Sequence, residues 1–327
     1  TEKHRNYRFE IVTNSRIKRM DEYAKDHGFD LRSFAAMGSY PKVRNLCILI
    51  PFILDSDVVI LIDDDERFEE PGFIKKAIEF VGRNGRHAIA GYYVMTNPVD
   101  GKNTCFNLKR FSWWRRLFRV WNTYFYINKT FKKLIFSGSR LKPAPIALGG
   151  NMVLSREIIS RVPFDPSIPR GEDIDYLLNS RLMGYQFYFD NKLEIKHLPP
   201  KYKKRYWESI RMNMLRFLIM RDKIEKQGKL SVNDFMYYPG TFLKKNLIFR
   251  ILITNTLLSL EYLLKRNPRS IMKCMGTVLM AIRYLKSKKK RKKLYDNYME
   301  LQKEWERFMN FVEKNREKLS KLYQGQS

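Results

Sequence analysis

The chain has 327 residues, and its 63 Lys and Arg against 34 Asp and Glu give a net charge of +29. This length is ample for a large hydrophobic core and fits either one large domain with an extension or two domains. So large an excess of positive charge predicts an anionic partner such as nucleic acid, phospholipid headgroups or a phosphorylated small molecule. The three cysteines have neither CxxC spacing nor neighbouring His pairs, which argues against a disulfide framework and a zinc site and favours a reducing compartment.

The first 200 residues alternate short apolar runs with polar, helix-like stretches, which is the pattern of an α/β protein. Helix ends are indicated by a capping residue, Ser155, and by a terminating glycine, Gly184. In chain order we predict a strand at 8–13, helices at 17–26 and 42–54, strands at 58–62, 88–95 and 151–154, a helix from Ser155, a helix at 173–183, and strands at 186–189 and 193–197.

After Pro199-Pro200 the sequence changes to long, basic helical patterns rich in Met and Leu, so we place a domain boundary there. Residues 1–200 then form the α/β domain, and residues 201–327 form a basic helical C-terminal region. A last amphipathic helix is predicted over 294–323. Its apolar residues recur at steps of three and four, which indicates a docking stripe or a short coiled coil.

Residues 246–264 are apolar enough to raise the question of a membrane span. Arg250, Asn255 and Glu261 interrupt this run, and each charge would cost at least about 2.5 kcal/mol at bilayer depth, so we expect no span. Packing between helices and lying in a membrane interface are the two alternatives. Seven of the eight residues 286–293 are basic, which favours the interface, although such a run is also typical of a solvated face.

An acidic motif follows the apolar residues 58–62 without a gap: Asp63, Asp64, Asp65 and Glu66. A buried strand with acids at its end delivers carboxylates to one edge of a sheet. Adjacent carboxylates repel one another, and a hard divalent cation such as Mg²⁺, which also binds phosphate oxygens, would relieve that repulsion. The motif therefore indicates a metal and nucleotide-diphosphate site, with an acidic solvated turn as the alternative.

A second set of motifs follows about 85 residues later. Gly149 and Gly150 would let the backbone approach a sugar or acceptor closely, or else form a β-bulge, and Asn151 offers a donor and an acceptor to hydroxyls. Glu172 and Asp173 are adjacent acids, and a carboxylate beside another acid has a raised pKa that suits a general base. Ordinary stabilisation of acids at a helix N-terminus is the alternative.

In this order, the acidic motif, the Gly149-Gly150-Asn151 strand, the Phe164-Asp165 turn and the Glu172-Asp173 pair resemble family-two glycosyltransferases of the GT-A type. The resemblance covers roughly residues 8–200. It implies a GT-A, Rossmann-like mixed sheet flanked by helices, to which the C-terminal helices are an extension. It also implies a metal-dependent enzyme of the hexosyltransferase class that moves a sugar from a nucleotide-sugar donor to a hydroxyl of a sugar, lipid or small-molecule acceptor.

The resemblance also assigns roles to acidic residues. Asp63 and Asp65 are the outer acids of a DxD motif that binds Mg²⁺ or Mn²⁺, with Asp65 the more direct ligand and Asp64 secondary. His197 ends the last strand, where a His in several GT-A branches binds the metal or contacts phosphate, with a structural His as the alternative. Asp173, beside Glu172, matches the general base, which implies inversion at the sugar. Retaining GT-A enzymes share the DxD motif, so inversion is the less secure expectation.

Basic and aromatic residues complete the predicted site. Lys42, Arg44 and Asn45 precede the acidic strand, where family-two enzymes often carry a basic residue and an Arg-Asn pair near the nucleotide. A cation there would suit the donor phosphates, although solvated helix charges would look the same. Trp113 and Trp114 suit an acceptor lid or a membrane-facing loop because aromatic faces stack on sugars and sit at headgroup depth, with a buried amphipathic helix as the alternative.

Two departures from the family pattern affect these expectations. No counterpart of the family's first strand precedes Arg8, and Thr13-Asn14-Ser15 replaces the acids expected after the second strand. We therefore expect an N-terminally incomplete domain or altered nucleotide recognition. The Gln-x-x-Arg-Trp motif of processive synthases is also missing, because Arg205-Tyr206-Trp207 lacks the Gln and its spacing, so we expect one sugar per encounter.

The expected enzyme is cytoplasmic and peripheral on the cytoplasmic face of a membrane, with an anionic lipid surface as a partner. A basic nucleic-acid-binding protein is the first alternative, but the charge is spread over helices and no nucleic-acid motif appears. A degenerate, non-catalytic glycan- or membrane-binding module is the second alternative, motivated by the missing first strand.

Overall fold

The computed structural model describes residues 10–96, 103–104, 121–198 and 206–325. The strands among them are β1 (Val58–Leu61), β2 (Glu66–Arg67), β3 (Ala88–Thr96), β4 (Asn103–Thr104), β5 (Leu141–Pro143), β6 (Met152–Ser155) and β7 (Phe187–His197). The helices of the first 200 residues are α1 (Asn14–Asp26), α2 (Leu31–Phe34), α3 (Tyr40–Ile53), α4 (Phe73–Ala77), α5 (Thr123–Ile135), α6 (Arg156–Arg161) and α7 (Glu172–Leu182).

The regular elements described in the C-terminal region are all helices. It contains α8 (Tyr206–Gln227), a 3₁₀ helix (Val232–Phe235), α9 (Gly240–Leu243), α10 (Leu247–Leu264), α11 (Pro268–Lys286), α12 (Lys288–Lys314) and α13 (Arg316–Gln324). Together with the sheet, these elements confirm the predicted class, an α/β protein with a mixed sheet flanked by helices and a helical C-terminal region.

The sheet has the strand order β1-β6-β3-β7-β2, with β4 paired to β3 and β5 paired to β7. β3 and β7 are parallel, and the other pairs are antiparallel. All four residues of β6 are buried, because this strand lies between β1 and β3 and is covered on both faces. Antiparallel β6 places its preceding residues, Gly149 and Gly150, at the same end of the sheet as the acids that follow β1.

The predicted strand at 8–13 is wrong for the described residues Glu10 to Thr13, which are not in a strand. Thr13 instead caps α1, and its side-chain oxygen accepts a hydrogen bond from the Arg16 amide. Because Thr13 satisfies one of the free amides at the helix start, local capping prevails over the weak strand pattern. Residues 8 and 9 lie outside the described part of the chain.

The strands predicted at 186–189 and 193–197 are one continuous strand, β7. The polar interruption at Asp190 does not end the strand, because its buried carboxylate accepts hydrogen bonds from Arg140 at 3.0 and 2.9 Å. The helix predicted over 294–323 is also divided, since α12 ends at Lys314 and α13 begins after Asn315.

The larger of two hydrophobic clusters in the described residues runs across the predicted boundary at residue 200. Ile159 and Phe164 belong to it together with Phe217 and Trp305 from the helical region. The indole nitrogen of Trp305 donates to the Ile159 carbonyl at 2.9 Å. The change in sequence pattern at Pro199-Pro200 therefore does not separate two cores.

A buried ion cluster also joins the two regions. Lys223 of α8 lies 2.8 Å from carboxylate oxygens of both Asp165 and Asp175 and 3.0 Å from the side-chain oxygen of Asn179. Burial lowers the pKa of Lys223, and the two carboxylates more than offset this, so that its pKa is raised and it stays charged. Asp175 thus contacts Lys223 in this cluster, although it lies only two residues after Asp173 on the same helix.

Candidate active site

The acids after β1 are brought against the end of β7 by strand pairing. Glu66 begins β2, and in the antiparallel pairing of β2 with β7 it lies opposite His197. The turn between β1 and β2 is closed by the Asp63 amide, which donates to Glu66 Oε2 at 2.9 Å. The Leu198 amide donates to the Asp65 carbonyl at 2.7 Å, which holds Asp65 beside His197.

Three of these side chains form a candidate metal site. The ligand atoms of Asp65, Glu66 and His197 all lie within 4.8 Å of one another, and Asp65 Oδ2 is 3.2 Å from His197 Nε2. Asp63, which the sequence placed among the ligands, is outside this group and forms a short ion pair with Arg44. Asp64 is exposed. The structure therefore adds Glu66 as a third candidate ligand where the sequence indicated Asp63.

The surroundings of Glu66 test whether a cation fits. Its Oε1 atom is buried without a hydrogen-bond partner among the described residues, which leaves one acceptor of this carboxylate unsatisfied. Burial raises the pKa of Glu66, and the Asp63 amide and the Tyr93 hydroxyl counteract this. A buried carboxylate with an unpaired oxygen gains strongly from a nearby cation, so these residues fit a divalent metal.

Tyr93 supports the metal cluster and was not singled out from the sequence. Its ring stacks on the His197 imidazole with 5.0 Å between centroids, and its hydroxyl oxygen accepts a hydrogen bond from the Gly150 amide at 2.9 Å. Burial raises the pKa of Tyr93 well above its usual value. Tyr93 therefore remains a neutral phenol that fixes the imidazole plane and the glycine turn.

Gly149 and Gly150 are glycines because charged side chains occupy the space where a Cβ would stand. A Cβ on Gly149 would lie 2.7 Å from Arg44 Nη2, and one on Gly150 would overlap the Glu66 carboxylate. The β-bulge alternative does not apply to this pair, because both glycines lie in the turn before β6 and not in a strand. The glycines let Arg44 and Glu66 approach the backbone.

Asn151 and Asn45 are structural, contrary to their predicted roles in binding. Asn151 is fully buried, and its amide nitrogen donates to the carbonyls of Tyr92 at 3.2 Å and Leu193 at 3.0 Å, which joins β3 to β7. Asn45 is also fully buried and donates to the Phe34 and Phe164 carbonyls at 2.8 and 2.9 Å. Neither side chain reaches an open surface.

The acid pair opens α7 directly after Gly171, whose φ of +73° is a conformation that favours glycine. Asp173 accepts hydrogen bonds from the Ile174 amide at 2.8 Å and the Gly149 amide at 3.1 Å. Burial raises the pKa of the Asp173 carboxyl, which Arg216 and the amides offset only in part. Burial and repulsion from Asp173 also raise the pKa of Glu172. Both acids are thus better proton acceptors than exposed carboxylates.

Arg44 connects the two groups of acids. Its guanidinium pairs with Asp63 after β1, and its Nε lies 3.9 Å from Glu172 Oε1 at the start of α7. Only 9% of the residue is exposed, and the nearby acids keep its pKa raised in spite of burial. Of the three residues predicted to bind phosphate, Arg44 alone lies among the acids.

Lys42 lies in the first turn of α3. The Lys42 ammonium group donates to the Arg32 carbonyl at 2.8 Å, which fits the alternative of a charge on the helix surface. Trp113 and Trp114 lie outside the described residues.

Arg216 of α8 reaches the acid pair from the helical region. It is 2% exposed, and its Nη1 donates to the Gly171 carbonyl at 3.3 Å while Nη2 donates to the Tyr238 hydroxyl at 2.6 Å. Its Nε has no partner among the described residues. Nothing in the spacing of the sequence indicates this contact, because Arg216 lies more than forty residues after Asp173 in a different pattern.

No protein-family model and no curated protein matches the chain. Among solved structures, the crystal structure of a mycobacterial protein aligns with 60% of this chain at 16% identity and a TM-score of 0.32. The aligned region spans 54% of that chain, about half of its length. A likeness at this level carries no argument about fold or function.

Proposed function

We propose that the protein is a metal-dependent glycosyltransferase that moves one sugar from a nucleotide-sugar donor to an acceptor hydroxyl. The observation that supports this most is the position of Arg44 between Asp63 and Glu172. These two acids belong to separate motifs far apart in the sequence, and both lie beside the Arg44 guanidinium, which itself lies next to the Gly149-Gly150 turn. The candidate metal ligands and the candidate general base therefore lie on either side of this arginine, an arrangement that supports the proposal because the reaction needs both groups at one site.

In the proposed reaction the acceptor oxygen attacks the anomeric carbon while the bond from that carbon to the donor phosphate breaks. The nucleoside diphosphate leaves with the bonding electrons, and the acceptor proton passes to the Asp173 carboxylate. Attack opposite the leaving group inverts the configuration of the sugar. The raised pKa of Asp173 favours this proton transfer near neutral pH.

Asp65, Glu66 and His197 would hold the Mg²⁺ or Mn²⁺ ion. When bound, the ion supplies positive charge beside the departing diphosphate. Two carboxylates and an imidazole suit Mn²⁺ better than Mg²⁺, because Mg²⁺ prefers oxygen ligands. Arg44 adds a fixed positive charge on the side of the acid pair, where it can contact the donor phosphates.

The test is a panel of nucleotide sugars, offered with Mn²⁺ or Mg²⁺ and with hydroxyl acceptors, in which release of the nucleoside diphosphate is measured. We expect metal-dependent release from at least one donor, and its loss on addition of EDTA and in Asp65→Ala protein. Lys42→Gln is the matched control, because Lys42 contacts the Arg32 carbonyl and should leave turnover unchanged. Absence of both nucleotide binding and release across the panel would contradict the proposal.

One observation favours the non-catalytic alternative: the spaces beside Gly149 and Gly150 are filled by Arg44 and Glu66. A module of this kind would bind nucleotide and metal without releasing the diphosphate. The same panel separates the two functions, because nucleotide binding measured by calorimetry without turnover in the wild type would reject catalysis and retain binding.

A further inference from the structure

Helices α10 and α11 form a hairpin that packs on the rest of the molecule from one side. Both helices contact α8. Their buried residues share one face of each helix, represented by Ile251 and Leu258 on α10 and by Cys274 and Ala281 on α11. Since both buried faces point toward the protein, the opposite faces of the hairpin point outward.

The outward face is apolar. Large side chains that are between 51% and 86% exposed lie on it: Phe249, Leu260, Leu263 and Leu264 on α10 and Met272, Met275 and Leu279 on α11. Spacings of three, four, seven and eleven residues place each set on one side of its helix. Contiguous exposed apolar residues of this kind mark an interaction surface in a soluble protein. We call these seven residues the hairpin face.

The hairpin face is bordered by positive charge. Residues 244–286 contain nine Lys or Arg and a single acid, Glu261, which is paired with Lys265 at 2.7 Å. Arg266, Arg269 and Lys273 are exposed near the turn between the two helices. The basic run 286–293 follows directly in the sequence, and the side chains of residues 288–293 lie outside the described part.

We propose that the hairpin face binds the surface of a membrane that contains anionic lipids, with its apolar side chains among the headgroups and acyl chains. Apolar residues bordered by Lys and Arg are the composition of helices that lie in a membrane interface. A nucleic acid would interact with the basic residues, but the exposed Leu, Phe and Met side chains of the hairpin face would not contribute to its binding. A second copy would bring two chains of charge +29 together.

Helix α10 is long and apolar enough by length and composition to cross a membrane, with a mean hydropathy of 1.5, and 28% of it is buried. Thr254 and Asn255 are among its buried residues and face the protein. The buried side also includes Leu247, Ile251 and Leu258, so the protein covers one side of α10 while the opposite, apolar side stays exposed. A helix that is covered on one side and apolar on its exposed side fits a position along the membrane surface.

The test uses the full chain in vesicle flotation at low and high salt. Phosphatidylcholine vesicles are compared with vesicles that also contain phosphatidylglycerol. We expect the protein to float with the anionic vesicles at low salt, to be released at high salt, and to bind neutral vesicles weakly.

Two triple variants and matched controls identify the surface. The first triple variant combines Leu263→Ser, Leu264→Ser and Met272→Ser. It should reduce partitioning of the protein onto anionic vesicles at least tenfold. Met37→Ser, Ile74→Ser and Ile78→Ser, three exposed apolar residues elsewhere, are the control and should leave it unchanged.

The second triple variant combines Arg266→Gln, Arg269→Gln and Lys273→Gln, and it should reduce binding about 10²-fold. Each basic residue near an anionic surface contributes about 1 kcal/mol, which is roughly fivefold in affinity. Lys303→Gln, Lys314→Gln and Lys318→Gln, three exposed charges on α12 and α13, are the matched control. Thermal unfolding of each variant verifies that these exposed substitutions leave the fold intact.

Loss of flotation in both hairpin variants with retention in both controls supports the proposal. Equal recovery on neutral and anionic vesicles, no recovery on either, or wild-type binding by the hairpin variants would overturn it. A dimer that the Ser variant dissociates, without vesicle binding by the wild type, would assign the hairpin face to a second copy. The nucleotide-sugar panel is independent of all these outcomes.

Discussion

Glu66 shows how strand register chooses among neighbouring acids. Four acids follow β1 in succession, and only pairing of β2 with β7 decides which carboxylates meet the His197 imidazole. Alternation of side chains along a strand sends adjacent residues to opposite faces, so a shift of one residue would exchange them. The sequence could place acids at the end of β1, but it could not indicate this register.

We expect Glu66→Gln to weaken Mn²⁺ binding by at least about 10- to 100-fold. That is the loss typical of removing a residue that only supports a metal ligand, and Glu66 is a candidate ligand itself. Asp63→Asn should weaken it less, because Asp63 pairs with Arg44 and lies outside the cluster. Titration of Mn²⁺ followed by electron paramagnetic resonance measures both affinities. A larger loss in Asp63→Asn would restore Asp63 as the ligand and leave Glu66 as a structural acid.

Asp173→Asn should lower sugar transfer by roughly 10² to 10⁴ and leave nucleotide affinity unchanged, because the amide cannot accept the acceptor proton. The usual pKa of an Asp side chain is about 3.9. Because the pKa of Asp173 is raised, the base is protonated at a higher pH than this, and the wild-type rate should already fall there as the pH is lowered. Turnover and nucleotide affinity are measured across pH on one preparation. A loss confined to affinity would make Asp173 a binding residue.

Side chains that contact the backbone explain where residue-level prediction failed. Asn45 and Asn151 have the donors and acceptors that a sugar hydroxyl would need, yet both amide nitrogens donate to main-chain carbonyls, and the Asn45 oxygen accepts from the Phe164 amide. Nothing in a local motif distinguishes these two uses. Glu172 and Asp173 were predictable as a pair because their adjacency itself creates repulsion and a helix start orients them.

At the scale of elements, α8 is the helix on which the acid pair depends. Arg216 and Lys223 are seven residues apart, so they lie two turns apart on one face. Arg216 contacts the residue before α7, and Lys223 contacts Asp175 within it. The position of α7, and with it that of Asp173, is therefore fixed by a helix of the C-terminal region.

Lys223→Met should destabilise the protein by about 3 to 5 kcal/mol, because it leaves Asp165 and Asp175 buried without their cation. Lys229→Met is the matched control, since Lys229 is exposed just after α8. Urea unfolding followed by circular dichroism gives both free energies. A loss below about 1 kcal/mol for Lys223→Met would show that the cluster is hydrated or relaxes, and that α7 is held by other contacts.

Helices and strands with strong local signals were predicted within a few residues. The helix predicted at 42–54 is Tyr40–Ile53, and the strand predicted at 88–95 is Ala88–Thr96. The division of 186–197 into two strands was wrong because Arg140, which lies fifty residues before the buried Asp190, neutralises its charge. Contacts over such distances are not available to a periodicity argument.

At the scale of the whole molecule, one hydrophobic cluster contains residues from both sides of Pro199-Pro200. The strongest change in sequence texture therefore marks a change in secondary structure and not a division of the core. Composition alone indicated two regions, but it could not show that Trp305 packs against α6.

We expect the two regions to unfold in a single transition. Tryptophan fluorescence, far-UV circular dichroism and activity should give coincident urea curves, because neither region keeps its core without the other. A chain that ends at residue 198 should fail to fold and should be digested rapidly by protease. Two separate transitions, or a folded truncated chain, would contradict this and restore independent domains.

The hairpin of α10 and α11 packs its buried face on the core, and its outward side contributes nothing to the acid sites. Selection can therefore alter that side freely while the chemistry stays constant. Related chains that share the acids but bind different membranes should differ most in the seven residues of the hairpin face. Exchanging the hairpin between such chains should change the membrane that is bound and leave donor preference unchanged.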